Sequence, residues 1–195
     1  MESFLKDRSQ RVAINSSHST WSTVKSGVPQ GSVIGPILFI IYINDLPEAI
    51  KSTCSIFADD TKITHKVCTP QDSTELQEDL DKLYEWTKTW MLYFNVTKCK
   101  VIHFGPKNCC YDYRLNGQTL TKVETEKDLG IIISHDLKAS ENVTYHVKKA
   151  NKMLGLIRRT FSYLNKDSFL SLYKAYVRPQ LEYCQQACHP ISLKI

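Results

Sequence analysis

Two adjacent aspartates, Asp59 and Asp60, interrupt an otherwise apolar and β-branched run, Cys54-Ser55-Ile56-Phe57-Ala58-Asp59-Asp60-Thr61-Lys62-Ile63-Thr64. Strand formers on both sides of a short acidic break predict a tight β-hairpin with the aspartates at or beside its turn. A turn of this kind pushes two carboxylates out of one end of a sheet. At roughly 5 Å and an effective dielectric of about 20 they repel by about 3 kcal/mol. Water, a neighbouring cation or a bound divalent ion offsets that repulsion, and oxygen-only ligands suit Mg²⁺. An Asp-Asp turn is also a common solvated feature, so the pair alone does not decide between the two.

The stretch ahead of it narrows the choice. Ser26-Gly27-Val28-Pro29-Gln30-Gly31-Ser32-Val33-Ile34-Gly35-Pro36 is followed by Ile37-Leu38-Phe39-Ile40-Ile41-Tyr42-Ile43-Asn44-Asp45-Leu46-Pro47. Glycines at 27, 31 and 35 permit positive φ and close backbone approach, as a loop pressed against a nucleic acid strand or a nucleotide needs, and as a plain structural turn also needs. Here the chain resembles the reverse transcriptases of non-LTR (LINE-type, jockey-like) retrotransposons. Their palm carries a G-V-P-Q-G-S-x-x-G-P motif, an apolar helix ending in I-N-D-L, and an F-A-D-D hairpin. All three stand here in that order. The resemblance continues through Lys127-Asp128-Leu129-Gly130 and into Arg178-Pro179-Gln180-Leu181-Glu182-Tyr183-Cys184.

The resemblance implies an α+β chain. Residues 1–135 are expected to form the second half of a polymerase palm, an antiparallel sheet with helices on one face. Residues 136–195 are expected to form a mostly helical, truncated thumb. Matched residue by residue, Asp59 is the main metal-bridging carboxylate and Asp60 its partner, in a site that holds two Mg²⁺ (or Mn²⁺) ions in the complete family. Gly27, Pro29, Gln30 and Gly31 match the motif that contacts template and incoming nucleotide. Asn95 and Lys98 match an N-x-x-K element, in which Lys98 faces the triphosphate or protonates the pyrophosphate leaving group, unless it is a plain surface lysine. The implied partners are an RNA template with its DNA primer, and deoxynucleoside triphosphates.

One element of the family pattern is missing. Ahead of the glycine-rich loop the only acidic residues are Glu2 and Asp7, and neither lies in the hydrophobic strand that carries the family's first catalytic aspartate. The expectation is therefore a fragment without fingers and amino-terminal palm, truncated at both ends and inactive alone. A non-catalytic nucleic-acid-binding remnant of a decayed element is the alternative, and a poorly folded decay product the third reading. An aspartic protease is set aside, because Lys62 follows Asp60-Thr61 where that family needs glycine.

Charge and composition agree with a polyanionic partner. From Lys138 to Arg178 nine basic residues face two acidic ones, so this segment carries +7 while the whole chain carries +5. Seven cysteines without regular spacing do not form a disulfide framework, so a reducing, intracellular setting is expected. The longest apolar run, Ile37 to Ile43, is too short to span a bilayer, so no membrane is expected.

Periodicity supplies the elements. Pro36 to Asn44 predicts a helix apolar nearly all round, as for a buried one. Thr69, Pro70 and Asp72 open a second helix with a stripe through Leu76, Leu80, Leu83, Trp86 or Thr87, and Trp90. Arg11–Asn15 and Thr20–Val24 read as a hairpin, as does Tyr111–Val123 around Asn116-Gly117, and Leu129–Ile133 as a buried strand. Val143, Val147, Ala150, Leu154, Ile157, Phe161 and Leu164 stripe one long helix. Lys148, Lys149, Lys152, Arg158 and Arg159 lie largely off that stripe, on a face that either grips a nucleic acid backbone or is merely solvated. A last helix is expected from Asp167 or Ser168 through Tyr176, closed by Pro179.

Overall fold

A computed structural model describes residues 6–25, 27–28, 31–105 and 108–188 of the chain. The chain divides into two compact units, one made of the residues up to Cys99 with Tyr111–Leu120, the other of Lys100–Cys110 with the residues from Thr121 onward. Both mix helices with small sheets. Instead of one continuous antiparallel sheet, the described residues form six two-stranded ladders. Ladders this small are marginal alone and depend on packing against helices.

The first unit begins with a hairpin in which β1 (Ser9–Gln10) pairs with β4 (Ser22–Thr23) and β2 (Ala13–Ile14) with β3 (Ser17–His18). Next comes α1 (Gly35–Ile43), with Pro36 in its first turn and Ser32 Oγ accepting from Gly35 N at 3.0 Å. Uniform apolarity predicts burial, yet Ile37, Ile40 and Ile41 are exposed and only Gly35 and Ile43 are buried. Packing is one-sided. Ile43 joins the core and Tyr42 meets Trp90 edge-on while donating to its carbonyl, so the opposite face of α1 is left open.

Past a 3₁₀ turn (Leu46–Ala49), β5 (Thr53–Phe57) and β6 (Asp60–Thr64) form the acidic hairpin. The unit is then built on α2 (Pro70–Trp90). Thr69 Oγ1 accepts from Asp72 N, and Asp72 Oδ2 accepts from Thr69 N at 2.8 Å, a reciprocal cap with Pro70 in the first turn. The middle of the expected stripe is buried, Leu80, Leu83, Trp86 and Thr87 together with Leu46, Tyr113 and Leu115. Trp90 at its end is exposed, whereas Asp79, expected off it, is buried. Beyond β7 (Lys100–Val101), which belongs to the second unit, the hairpin of β8 (Arg114–Leu115) and β9 (Gln118–Thr119) returns to this one. Asn116 and Gly117 take φ of 54° and 72°, as the two-residue hairpin turn requires. Gln77 docks this hairpin on α2, its Nε2 donating to Arg114 O and its Oε1 accepting from Arg114 N, both at 2.9 Å.

In the second unit β7 runs parallel to β10 (Thr121–Lys122), and β11 (Thr125–Asp128) pairs antiparallel with β12 (Ile131–Ser134). Leu129 and Gly130, expected inside a strand, are instead the turn between these two, at φ 47° and 87°. Tyr183 explains why. Its hydroxyl donates to Leu129 O at 2.8 Å, and a Cβ on Gly130 would lie 2.8 Å from that hydroxyl oxygen.

The long helix is α3 (Ser140–Thr160). Its buried residues are Asn142, His146, Ala150 and Ile157, whereas Val143 and Val147 are exposed. The first half of the predicted stripe is thus rotated by one residue. Two contacts turn it: Asn142 Oδ1 accepts from Ile132 N at 2.8 Å, and the His146 ring stacks on Tyr183 at 5.4 Å. Further along, Ala150 and Ile157 close around Val177 with Met153, Leu154, Leu164, Leu172 and Tyr173. α4 (Lys166–Leu172) starts earlier than expected because Asn165 Oδ1 accepts from Ser168 N. Pro179 does not close it. The chain widens into a π turn (Tyr173–Val177) and continues as α5 (Arg178–Glu182), where Pro179 sits in the first turn and its missing N–H is no loss. α6 (Gln185–Cys188) is the last described element.

Candidate active site and nucleic-acid interface

The register of β5 and β6 pairs Phe57 with Asp60, so Ala58 and Asp59 are a two-residue turn. Ala58 takes φ 51°, the positive value that such a turn demands at its first position. Along the strands Cys54, Ile56, Thr61 and Ile63 are half-buried while Ser55, Phe57, Asp60 and Lys62 are exposed. Asp59 therefore stands at the tip and Asp60 beside it on the open face, as the sequence predicts. Among the described residues neither carboxylate has a side-chain hydrogen bond or ion pair, so four oxygens remain available to a hard cation. No cluster of three His, Cys, Asp or Glu able to hold a metal is found among the described residues. Two oxygen-donor carboxylates are of the chemistry that suits Mg²⁺, and among the described residues no third ligand joins them.

The other end of the hairpin is held by a network that no local sequence pattern announces. Asp79 of α2, 1% exposed, accepts at Oδ2 from Lys51 N (3.1 Å), Ser52 N (2.8 Å) and Ser52 Oγ (2.7 Å). Lys82 Nζ meets Oδ1 at 3.0 Å. Ser52 precedes β5 and His65 follows β6, and Ser52 Oγ lies 3.0 Å from His65 Nδ1. Because the serine's only proton goes to Asp79, Nδ1 of His65 must be the donor. No nucleophile is activated by this order of groups; it closes the base of the hairpin opposite the acidic tip. Burial pushes the Asp79 carboxyl up, but the bonds from Ser52, Lys82 and Lys51 outweigh it and hold the pKa at about 2.

Gly27 and Gly31 take φ of 84° and 81° with open space where a Cβ would stand, so conformation and not crowding selects glycine there. Arg8 Nη2 donates to Gly27 O at 2.6 Å. Pro29 and Gln30 lie outside the described residues, and with them the expectation that Asp59 faces Gln30. Lys98 ends an exposed 3₁₀ turn (Val96–Lys98), and Asn95 serves that turn locally, accepting from Thr97 Oγ1 at 2.6 Å. None of the described hydrogen bonds or ion pairs joins Lys98 to the acidic hairpin.

A family model described as "Reverse transcriptase (RNA-dependent DNA polymerase)" matches residues 1–164. The chain belongs to the reverse transcriptase family. It is similar to the RNA-directed DNA polymerase from mobile element jockey of Drosophila melanogaster, 28% identical over 94% of this chain and 21% of that protein. The jockey polymerase of Drosophila funebris is 29% identical over 95% and 22%. The probable RNA-directed DNA polymerase from transposon X-element of Drosophila melanogaster is 28% identical over 95% and 22%. The chain thus spans about a fifth of the length of these relatives, which are the mobile-element polymerases its motifs point to. No solved structure matches it.

In this reverse transcriptase chain the five basic residues expected on the long helix, Lys148, Lys149, Lys152, Arg158 and Arg159, are all exposed on α3. Lys148, Lys152 and Arg159 recur at helical spacing and share one side. Two further groups join them that sequence reasoning missed. Lys127 of β11 donates to Tyr145 Oη at 3.0 Å and lies 5.1 Å from the centre of its ring, with Lys149 at 5.5 Å from the same ring. That hydrogen bond lowers the Tyr145 phenol and raises the Lys127 ammonium. Tyr145 and Lys149 were readable as helical neighbours four apart. Lys127 was not, because only the turn at Leu129-Gly130 brings it there. Among the described residues no helix is long and apolar enough to cross a membrane.

Proposed function

We propose that this chain supplies the acidic turn, the template loop and the backbone-gripping helix of the RNA-directed DNA polymerase of a non-LTR retrotransposon, and that these 195 residues do not extend a primer by themselves. The observation that carries the reading is the Asp59-Asp60 pair, without a side-chain partner among the described residues, at a two-residue turn in a chain of this family. Two divalent ions, when bound, stabilise the attacking and leaving oxygens of nucleotidyl transfer. Asp59 and Asp60 would hold one edge of that pair. Residues up to 135 would act as palm and those from 136 as thumb, with Gly27, Pro29, Gln30 and Gly31 against template and nucleotide, and Lys98 toward the triphosphate.

Inactivity of these residues alone follows from ligand count. Two carboxylates on one hairpin would supply too few protein ligands for a pair of ions, and Mg²⁺ gives up its water reluctantly. Positioning of the triphosphate is worth about 7–11 kcal/mol of such a barrier, and it needs walls on more than one side. The test is primer extension on an RNA template with Mg²⁺ or Mn²⁺. The 195 residues should give no product, fusion of the family's amino-terminal palm segment ahead of them should restore it, and Asp59→Asn should abolish it again. Extension by the unfused chain, lost on Asp59→Asn, would overturn the proposal. A second reading, a nucleic-acid-binding remnant without catalysis, is favoured by the exposed basic side of α3 and predicts duplex binding with no rescue by fusion.

A further inference from the structure

The hairpin of β1 to β4 carries chemistry that its own fold does not use. Every residue from Ser9 to Thr23 is exposed, Trp21 to 63%. The guanidinium carbon of Arg11 stands 4.7 Å from the centre of the Trp21 ring. Pairing of Gln10 with Ser22 and of Ala13 with His18 leaves Arg11 and Val12 opposite Ser19, Thr20 and Trp21, so the second strand holds one extra residue. A bulge of that kind strengthens the twist and re-aims the side chains beside it.

Val12, Ile14 and Trp21 are exposed side by side on this hairpin, and the charge around them says what would cover them. From Lys6 to Lys25 the basic residues are Lys6, Arg8, Arg11 and Lys25 against Asp7 alone. Arg11 has no ion-pair partner among the described residues. We infer that the hairpin is a contact for single-stranded nucleic acid, in which Trp21 and its stacked Arg11 receive an unpaired base while the basic residues meet the backbone. The hydrogen bond from Arg8 to Gly27 O fastens this platform to the glycine loop. The inference rests on the proposed reading of that loop as the template contact, and it adds a stacking surface beside it. An aromatic platform within a basic segment suits a single strand, whose bases are free to stack, better than a duplex, whose bases are not.

The experiment is anisotropy titration of the whole chain with labelled single-stranded RNA of mixed sequence, and with a blunt duplex of the same length. Trp21→Ala should weaken single-strand binding about tenfold and leave duplex binding within about twofold, while Trp21→Phe keeps most of the affinity. Arg11→Gln should lower both the affinity and, by a little under one, the salt slope. Melting followed by CD checks that the variants stay folded. Unchanged single-strand affinity in Trp21→Ala would overturn the inference, as would equal weakening for both strand forms or a loss of self-association alone. Replacing Lys148, Lys149 and Lys152 with glutamine separates the two levels. If that variant weakens binding and Trp21→Ala does not, the proposed function stands and this contact falls; if the wild-type chain binds neither RNA, both fall.

Discussion

Asp79 should be the residue on which the geometry of the acidic turn depends most. Three donors converge on its Oδ2 and Lys82 meets its Oδ1, all at 2.7–3.1 Å. The fall of its pKa from 3.8 to about 2 measures how much more the folded chain favours the ionised form. At about 1.4 kcal/mol per unit this is about 2–2.5 kcal/mol of stability. Since the folded value is the lower one, the contribution is complete above about pH 4 and is lost as the pH falls toward 2. Asp79→Asn keeps an acceptor but no charge, and should cost about 2 kcal/mol at pH 7. Asp79→Ala leaves Ser52 N and Oγ buried without an acceptor and should cost about 3–5 kcal/mol. Urea unfolding followed by the emission of buried Trp86, at pH 7 and in steps from pH 5 to 2.5, reads both effects. The wild-type advantage over Asp79→Asn should shrink through the acid range. A loss below about 0.5 kcal/mol at pH 7, or an advantage that does not change with pH, would refute the reasoning.

Three further outcomes are expected. Replacing Lys148, Lys149 and Lys152 with glutamine should reduce the salt slope of duplex binding by up to about three, and an unchanged slope in a filter-binding titration would make that side of α3 an idle solvated one. Gly130→Ala should lower the stability of the second unit by about 1–3 kcal/mol, since its φ is 87° and its Cβ would strike the Tyr183 hydroxyl, whereas Tyr183→Phe should cost only about 1 kcal/mol for the bond to Leu129 O; thermal melts compare the two. The open side of α1 should bind an apolar dye, and Ile37→Glu with Ile41→Glu should reduce both dye fluorescence and aggregation in light scattering.

What could be read from the sequence was whatever the chain encodes within a few residues. The cap at Thr69 with Pro70 and Asp72 and the turn at Asn116-Gly117 are set by a side chain reaching its own backbone or by local φ, so residue type announces them. The acidic turn is announced instead by the strand formers on either side and not by Ala58, which takes φ 51°. Leu129-Gly130 shows the limit. Three isoleucines after it argue for a strand throughout, and the contact that shows why glycine is needed in the turn is with Tyr183, 54 residues later. The side that α3 buries is likewise fixed by Ile132 N and Tyr183, so Asn142 and His146 displace the valines that periodicity favoured. For α1 the error has the opposite sense: apolarity records how much surface wants covering, and only one side of the helix is covered in its unit.

The same division runs through the candidate site. Asp59 and Asp60 are legible as a turn because strand formers flank the acidic break on both sides. Asp79 is not, since an aspartate on α2 reads as solvated surface until the fold brings the start of β5 beneath it. This asymmetry has a mechanical reason. A two-residue turn can present carboxylates to a metal only if the strands behind it hold their register, and a ladder of five residues is too small to do so unaided. The Ser52, His65 and Asp79 contacts join the hairpin's two ends to each other and to the helix with the largest buried stripe in the unit. Local sequence thus places the two carboxylates at the tip, and long-range hydrogen bonds at the base hold them there.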